Sequence, residues 1–573
     1  MRAGPLERAE ADPFEDLATR FPGKFEPVRP PGSEPYAAVA REHLRPILAR
    51  LRDESGFEFL LDLTAVDRAG LEPRAAEWRF SVVYHLGRIR GGRRFRVAAR
   101  VPRREPLLPS VSDLWASARW AEREVAELFG IRFESHPDPR RLFLPDDCPG
   151  APLRKDHRPA AAPPETLARE AARAGALDPE GGGAGLVPLE GARPAAGLFG
   201  DPGAPRVRVR LSAKRIAASD VEVGFGHSGF EKLAEALSYR QGLVAAARLS
   251  AEGAFERCLG WALAIERILG LEPPPRATVL RTILSEVSRI ASHLRAVSRG
   301  LFEAGLPFEG ARLADRVAAL REEVSDAAPG GDPAASVRIG GFSADASPEF
   351  PSRLRAFAAA ALEAAGAIDR EFARSRLLKR RLRGAGAVGP REAVRLGLSG
   401  PALRASGVAY DVRRAAPYGD YGRYEFEVPT QAEGDARARH LQRIEEARAS
   451  AGILEQALEA LRGLAPPAPV ALEDKARIRE SCAALIRHVK LAIDGGSARP
   501  ERGAEVFSST EAPAGELAFY VVSDGSPRPY RLHLRSPSFY HAAAIPALIA
   551  GATEDEARAA VASLGLIPGE IDR

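Results

Sequence analysis

Apolar and polar residues alternate along the chain with two periods, one typical of strands and one typical of helices. Between residues 36 and 157, β-branched and aromatic runs are separated by charged or glycine turns, and they predict strands. The predicted elements are a helix over 37–53, strands within 57–67, 78–89 and 93–102, and a helix over 114–130 that stops at Gly130. This order is typical of an α+β domain.

From residue 206 onward the helical period dominates. The run 206–212 alternates strictly and predicts a strand, whereas apolar residues within 277–301 repeat at three and four and predict a buried helix. The other predicted elements are helices over 254–269, 352–378, 435–461 and 476–491, a hairpin over 517–536 that turns near Asp524 and Gly525, and a helix that begins with a capping box of Thr553 and Glu556 and stops at Gly565.

Residues 158–205 separate these two parts and consist largely of Ala, Pro and Gly. Because this stretch has few aliphatic anchors, it buries little surface, which is typical of a linker. We therefore predict an α+β fold in three sections. They are an α+β domain at 36–157, a linker at 158–205, and a mainly helical domain with β additions at 206–573.

The chain has 573 residues, a formal net charge of +5 and a pI near 9.2. Arginine alternates with acidic residues along helical stretches such as 439–450, so the excess charge is spread over solvated helix faces. A nucleic-acid-binding protein concentrates such charge in one patch. We therefore predict no nucleic-acid partner, and we leave open an anionic protein or membrane surface.

Three cysteines, Cys148, Cys258 and Cys482, lie far apart in the sequence and form no CxxC pair. This spacing excludes a self-contained iron–sulfur cluster or four-thiolate metal site, and it suits a reducing cytoplasm. The N-terminus is charged throughout, and no stretch reaches the roughly 20 apolar residues that span a bilayer. We expect no metal in this chain, no signal peptide, and membrane attachment only through partners.

The segment from Trp120 to His157 mixes carboxylates with basic residues. Such a mixture is more typical of a salt-bridged docking surface than of a catalytic site. The candidate docking residues are Glu122, Glu124, Arg140, Arg141, Arg154 and Lys155.

Together with DLTAVD, VVYHL and PSVSDLW upstream, this segment resembles the C subunit of the proton-translocating NADH–quinone oxidoreductase, respiratory complex I. The second half resembles the D subunit of the same complex, in family order, through GFGHSGFEKLAE, RIGGF, GLSGPALRASGVAYDVR, VFSSTEAPAGELAFYVVSDGSPRPYRLHLRSPSF and the closing GEIDR. The chain is thus similar to the fused C/D subunit, with 158–205 as the fusion linker.

The resemblance implies that the second half is related to the large subunit of nickel–iron hydrogenases, which is a helical bundle with a β region. Hydrogenases bind their metals through two CxxC pairs; neither is present here, which argues against a nickel–iron site.

The resemblance also implies a function. The chain would be a core subunit of the peripheral arm, on the cytoplasmic side of the cell membrane, that walls the quinone cavity and couples electron transfer to proton translocation. The implied partners are the cluster-bearing B subunit, the H and I subunits, and the other members of the complex. Quinone is then the substrate, FMN and iron–sulfur clusters belong to partner subunits, and this chain binds no cofactor itself.

Two positions of the implied quinone site depart from the family. Each quinone carbonyl needs a donor during reduction, and the family supplies a histidine on a hairpin loop and a tyrosine after an Arg-aliphatic-Asp run. Alignment places the histidine at Pro202, the aspartate at Ser250 and the tyrosine at Ala251. Proline and alanine offer no side-chain donor. The resemblance therefore implies a cavity that lacks its usual donors.

Three other positions of the implied cavity keep a polar residue. Arg248 matches the family arginine, Glu303 replaces an aspartate, and His227 belongs to the matched HSGFEK run. Each has a structural alternative, because His227 suits a hydrogen-bonded strand–helix junction, and Arg248 and Glu303 suit ion pairs.

Two functions fit these observations. In the first, the chain takes part in reducing a quinone or another acceptor. In the second, it is a structural, degenerate paralogue in a hydrogenase-related ion-pumping complex, and it keeps the architecture without quinone or metal chemistry of its own.

Overall fold

The computed structural model describes residues 12–71, 77–158, 187–189, 203–465, 479–486, 489 and 499–573. Most of the predicted linker, seven of the sixteen residues of the predicted helix over 476–491, and the candidate Pro202 lie outside these described residues. The described residues mix helices with several small sheets, which confirms the α+β expectation.

A five-stranded sheet is the centre of the N-terminal unit, residues 12–158. The helices and strands of this unit are α1 (Pro13–Arg20), β1 (Phe25–Val28), β2 (Tyr36–Val39), α2 (Arg41–Asp53), β3 (Phe59–Asp67), β4 (Phe80–Gly87), β5 (Arg94–Val101), β6 (Leu107–Pro109), α3 (Ala118–Phe129) and β7 (Arg132–Glu134). The strand order is β1-β2-β5-β4-β3, in which β2 and β5 run parallel and the other neighbours antiparallel.

The predicted helix over 37–53 is wrong at its beginning. Tyr36–Val39 forms strand β2, and the helix starts at Arg41. Alanine favours helix, but pairing with β5 outweighs that weak local preference. α1 and β1 also belong to this unit although they precede residue 36, since Leu17 packs in the same core and β1 pairs with β2.

Helices dominate the C-terminal unit, residues 187–573. Its elements are β8 (Val187–Pro188), β9 (Arg206–Ser212), β10 (Arg215–Glu222), α4 (Phe230–Ala236), α5 (Tyr239–Arg248), α6 (Ala254–Leu269), α7 (Pro275–Glu303), α8 (Pro307–Ser325), α9 (Pro333–Ser336), β11 (Val337–Arg338), β12 (Gly341–Phe342), α10 (Phe350–Arg374), α11 (Arg376–Leu382), α12 (Pro390–Arg395), α13 (Gly400–Arg404), α14 (Val412–Ala415), a 3₁₀ turn (Tyr421–Arg423), α15 (Ala436–Leu461), β13 (Glu505–Ala512), β14 (Gly515–Ser523), β15 (Pro529–Arg535), α16 (Pro537–Ile549), α17 (Glu554–Ser563) and α18 (Pro568–Ile571).

Most of the predicted elements of this unit are confirmed. α6 has the predicted bounds, the hairpin is β14 and β15, and the capping box at Thr553 is present. The predicted helix over 352–378 is instead two helices, because Ser375 ends α10 and its hydroxyl caps α11 by accepting from the Leu378 amide. The pattern did not predict α8 or β13.

The long helix α7 lies in the middle of the C-terminal core and packs against α15 and α8. Its predicted apolar stripe is buried, yet the same helix also buries Arg281, Glu286 and Arg289. Within the described ranges, no helix is both long and apolar enough to cross a membrane.

The two units share an extensive apolar junction. Tyr520 and Val522 of β14 pack with Val66 and Val83 on one face of the N-terminal sheet. Trp120 of α3 packs edge-on against Phe539 of α16, with ring centroids 5.4 Å apart.

Buried ion pairs add to this junction. Glu505 of β13 lies 2.7 Å from Arg68 and 2.9 Å from Arg96, both of the N-terminal unit. Asp62 of β3 lies 3.1 Å from His533 of β15. Because these buried charges find their ion-pair partners across the junction, separating the units would leave them uncompensated, which favours this one arrangement.

Candidate functional site

A cavity of about 980 Å³ lies in the C-terminal unit between α5, the start of α6, the middle of α7, the end of α8 and the segment 331–339. Its wall is apolar in large part, with side chains that come from five helices and β11. These apolar residues include Leu243, Val244, Phe255, Leu284, Val287, Val324 and Val337. Both the size and the apolar lining are typical of pockets that bind small molecules.

The loop between α5 and α6 forms one side of this cavity. Arg257, which has no exposed surface, holds the loop from beneath. Its Nε donates to the carbonyl of Ala246 at 3.0 Å, its Nη1 donates to the carbonyl of Glu252 at 3.0 Å, and its Nη2 donates to the carbonyl of Ser250. Nη1 also pairs with Glu570 at 3.1 Å. One buried guanidinium thus fixes the backbone of the loop.

The cavity brings together two of the predicted site residues. Arg248, the last residue of α5, and Ala251, in the loop, are both exposed and both line the cavity. Ser250 lies between them along the chain, and its carbonyl accepts from Arg257.

The other predicted site residues lie elsewhere. His227 is at the junction of the two units, where its ring stacks on Phe143 with centroids 5.0 Å apart and planes 4° apart. Burial lowers the pKa of His227. Glu303 is the buried last residue of α7, and Pro202 lies outside the described residues. Neither His227 nor Glu303 is part of the described cavity wall.

Sequence reasoning missed most of the polar residues of the cavity. Gln241, four serines and five arginines line it, and of these only Arg248 is among the predicted residues. The remaining arginines are Arg240, Arg295, Arg321 and Arg338. The sequence of α7 does contain a pattern from which some of them could have been found. Ser288, Ser292 and Arg295 follow the helical spacing beside the apolar stripe, which indicates a polar strip along the buried face of the helix.

Three of the candidate docking residues act within the N-terminal unit. Glu122 accepts from the Ser110 hydroxyl at 2.6 Å, and burial raises the pKa of its carboxyl to about 8. Arg141 donates to the carbonyl of Pro145 at 3.2 Å, and Arg154 donates to the carbonyl of Phe129 at 2.6 Å.

The other three candidate docking residues join the two units of this chain. Glu124 pairs with Arg573 at 2.9 Å, Arg140 pairs with Asp220 at 2.9 Å, and Lys155 pairs with Glu235 at 2.9 Å. A docking surface is therefore present inside the chain, and a role in contacts with other proteins of a complex stays a prediction.

A cluster at this junction resembles a metal site in its residue types. Side-chain ligand atoms of Glu124, Glu231 and His533 lie within 4.8 Å of one another. However, Arg531 binds Glu231 at 2.6 Å and Arg573 binds Glu124 at 2.9 Å. The guanidinium groups neutralise the carboxylates that a cation would need, so the geometry favours an ion-pair network.

Close packing of α5 on α6 supports the cavity wall, and it gives a first prediction. A Cβ atom at Gly242 would lie 2.1 Å from Cζ2 of Trp261, whose Nε1 is held by the carbonyl of Tyr239 at 2.8 Å. Gly242→Ala should therefore lower the free energy of unfolding by about 1–3 kcal/mol through overpacking.

Urea unfolding of the full chain tests this effect, with Gly452→Ala as the matched control. Gly452 is an exposed helical residue of α15 with nothing within 4 Å of the added Cβ. Its replacement should raise the free energy of unfolding by about 0.5–1 kcal/mol, because alanine favours helix. If both variants gain stability, the close approach of α5 to Trp261 is wrong.

Comparisons with known proteins match both units. Residues 37–163 match the family described as the 30 Kd subunit of respiratory-chain NADH dehydrogenase, and residues 333–573 match the 49 Kd subunit family. The chain is 32% identical over 551 residues to the C/D subunit of NADH-quinone oxidoreductase from Bdellovibrio bacteriovorus, which covers 93% of this chain and 94% of the relative. It is 32% identical over 603 residues to the C/D subunit from Nitrosospira multiformis, with 98% and 96% covered. The D subunit from Thermus thermophilus is 37% identical over 377 residues, with 65% of this chain and 91% of the relative covered.

Proposed function

This chain belongs to the family of fused C/D subunits of NADH-quinone oxidoreductase, and we propose on that basis that it walls the cavity in which such a complex reduces a quinone and couples this step to proton translocation. The observation that carries the proposal is the cavity of about 980 Å³ with Arg248 and Ala251 on its wall. These are the positions at which the family resemblance puts the quinone head group.

The chemistry of the wall supports this proposal. A quinone ring is apolar and flat, and the aliphatic and aromatic part of the wall suits it. Reduction adds two electrons and two protons, and each carbonyl oxygen gains charge that a donor must stabilise. Ala251 offers no donor, but Gln241, Arg248 and the hydroxyl of Ser292 do.

The electrons of the proposed reaction come from partner subunits. Among the described residues, Cys258 is buried in α6 with its Sγ 3.6 Å from the carbonyl of Leu243, Cys148 is half-buried, and Cys482 is exposed. Thiols dispersed in this way do not fit an iron–sulfur cluster in this chain. We therefore place the clusters and FMN on partners, with the B, H and I subunits as the proposed neighbours, at the cytoplasmic side of the membrane.

A bulky residue at Ala251 tests whether the cavity takes the quinone. Ala251→Trp should lower kcat/KM for quinone by about tenfold or more in the assembled complex, because the indole fills the space beside Arg248. Quinone-dependent NADH oxidation is the measurement. Ala359→Trp, on the exposed face of α10, is the matched control and should leave the rate unchanged.

The structural alternative is favoured by the missing donor at Ala251, and the same assay separates the two functions. If the native complex reduces no quinone and the double variant Ala251→Tyr, Pro202→His gains that activity, the chain is a structural paralogue. Equal rates for Ala251→Trp and the native complex would contradict the cavity as the site of reduction.

A further inference from the structure

Five arginines line the cavity, on four different elements. They are Arg240 near the start of α5, Arg248 at its end, Arg295 on α7, Arg321 on α8 and Arg338 on β11. Only two acidic residues of the described chain, Glu252 and Asp332, line the same cavity. The wall therefore carries a clear excess of positive charge.

The acidic residues compensate these arginines only in small part. Glu252 is bound by Arg299, which does not line the cavity, at 2.7 Å. Asp332 caps α9 by accepting from the amide of Ala334 at 3.0 Å. Each carboxylate is thus already engaged by another group.

The five guanidinium groups have no ion-pair partner within 4.0 Å among the described residues. Elsewhere in the chain some buried arginines are ion-paired, as Arg404 is with Glu446 at 2.7 Å, and others, such as Arg443, donate to several backbone carbonyls. Of the five, only Arg338 donates hydrogen bonds inside the described chain, to the carbonyls of Ala335 at 2.6 Å and Val337 at 2.8 Å. The guanidinium groups of the other four have no hydrogen-bond partner among the described residues.

The pKa values of two of these arginines reflect repulsion from neighbouring positive charges. Burial lowers the pKa of Arg295, and the charges of Arg321 and Arg299 lower it further, although Glu252 acts in the opposite direction. Burial lowers the pKa of Arg338, and Arg240 adds to that shift. An anion bound beside either group would oppose its shift, since it replaces like-charge repulsion with attraction.

We propose that the cavity binds an amphiphilic anion, a ligand with an apolar body and an acidic group that bonds the unpaired arginines. The apolar wall formed by Leu243, Val287 and Val324 receives the body, and Arg295 and its electrostatic neighbour Arg321 bind the acidic group. The proposal that this cavity binds an anion does not depend on the proposed function. The identity of the natural ligand as an acidic quinone, one with an ionised ring hydroxyl, rests on the proposed function.

Calorimetric titration of the full chain with a matched pair of probes tests anion binding. 2-Naphthoate carries a carboxylate on an apolar bicycle, and 2-naphthamide is its neutral counterpart. Naphthoate should bind at least about tenfold more tightly, and the preference should weaken as salt rises. Equal affinity for the two probes would overturn the proposal.

Substitutions of cavity arginines test whether naphthoate binds inside this cavity. Arg295→Gln and Arg321→Gln should each weaken naphthoate binding by about tenfold and leave naphthamide binding unchanged. Arg380→Gln, an exposed arginine of α11 away from the cavity, is the control and should change neither. If neither cavity variant changes naphthoate binding, naphthoate binds outside this cavity and the proposal is overturned.

A second arm uses the assembled complex and separates this inference from the proposed function. 2-Hydroxy-1,4-naphthoquinone, an anion at neutral pH, should be a better acceptor than neutral 2-methyl-1,4-naphthoquinone, and naphthoate should compete with it. If naphthoate binds but no quinone is reduced, the anion site stands and the proposed function fails. If both quinones are reduced equally and naphthoate does not compete, the function stands and the inference fails. Loss of naphthoate binding on assembly would assign the arginines to an acidic segment of a partner protein and overturn the proposal.

Discussion

Replacing Arg404 with leucine should lower the free energy of unfolding by about 3–5 kcal/mol. This guanidinium is fully buried, and it binds Glu446 with two bonds of 2.7 and 2.9 Å and Glu511 with one of 2.8 Å. Burial by itself disfavours the charged carboxylates, and Arg404 offsets that cost. Without it, the carboxylates of Glu446 and Glu511 stay buried with part of their compensation gone.

The measurement is the urea unfolding midpoint of the full chain at neutral pH. Arg355→Leu is the control, because Arg355 pairs with Glu455 at 3.0 Å while the two side chains are 37% and 60% exposed. Exposed pairs contribute about 1 kcal/mol or less. Similar shifts for the two variants would mean that the charges around Arg404 are solvated, contrary to the buried network.

Raising the pH from 6.5 to above 9 should cost the junction of the two units about 3 kcal/mol through His533 alone. Burial by itself lowers the pKa of His533, but the carboxylates of Asp62 and Glu231 outweigh it and raise this pKa to about 9. Nδ1 lies 2.8 Å from Glu231 and Nε2 lies 3.1 Å from Asp62. Because the folded pKa exceeds the unfolded value of about 6.5, the stabilisation is complete below pH 6.5 and is lost as the pH rises through 9.

The same cluster also contains Arg531, Arg573 and Glu124, and other buried acids titrate near neutral pH, so the experiment compares variants. Unfolding midpoints of the native chain and of His533→Gln, recorded from pH 6.5 to 10, should converge as the pH rises. His43→Gln, on half-exposed His43 of α2, should track the native chain at every pH. A constant gap between the native chain and His533→Gln would contradict a protonated His533.

The local sequence pattern correctly predicted those helices in which the apolar stripe and the capping residues indicate the same bounds. α6 has its predicted bounds because apolar residues repeat between two glycines, Gly253 and Gly270, that both adopt positive φ. β13 escaped prediction, since Ser508, Thr510 and Glu511 are polar and yet buried. Their burial depends on partners far away in the sequence, such as Arg404 for Glu511.

The candidate site was predictable only in part, for the same reason. Family resemblance led to Arg248 and Ala251, which do line one cavity. The positive wall depends on Arg240 and Arg338, which lie far apart in the sequence, and only tertiary packing places them around one space. Nothing in the local sequence distinguishes these arginines from those of solvated helix faces.

The junction between the units has a consequence for how such a chain arises in evolution. Its apolar faces and its ion pairs, such as Glu505 with Arg68, match each other without help from the peptide link between the units. The covalent connection then acts only by raising the effective concentration of one half for the other. Within residues 158–205, Val187 and Pro188 form β8, which pairs with β9, and Leu189 is buried in the C-terminal core. If the rest of this stretch is the predicted linker, selection there preserves length more than sequence, which fits a composition of mostly Ala, Pro and Gly. Gene fusion is a small step for two proteins that already recognise each other.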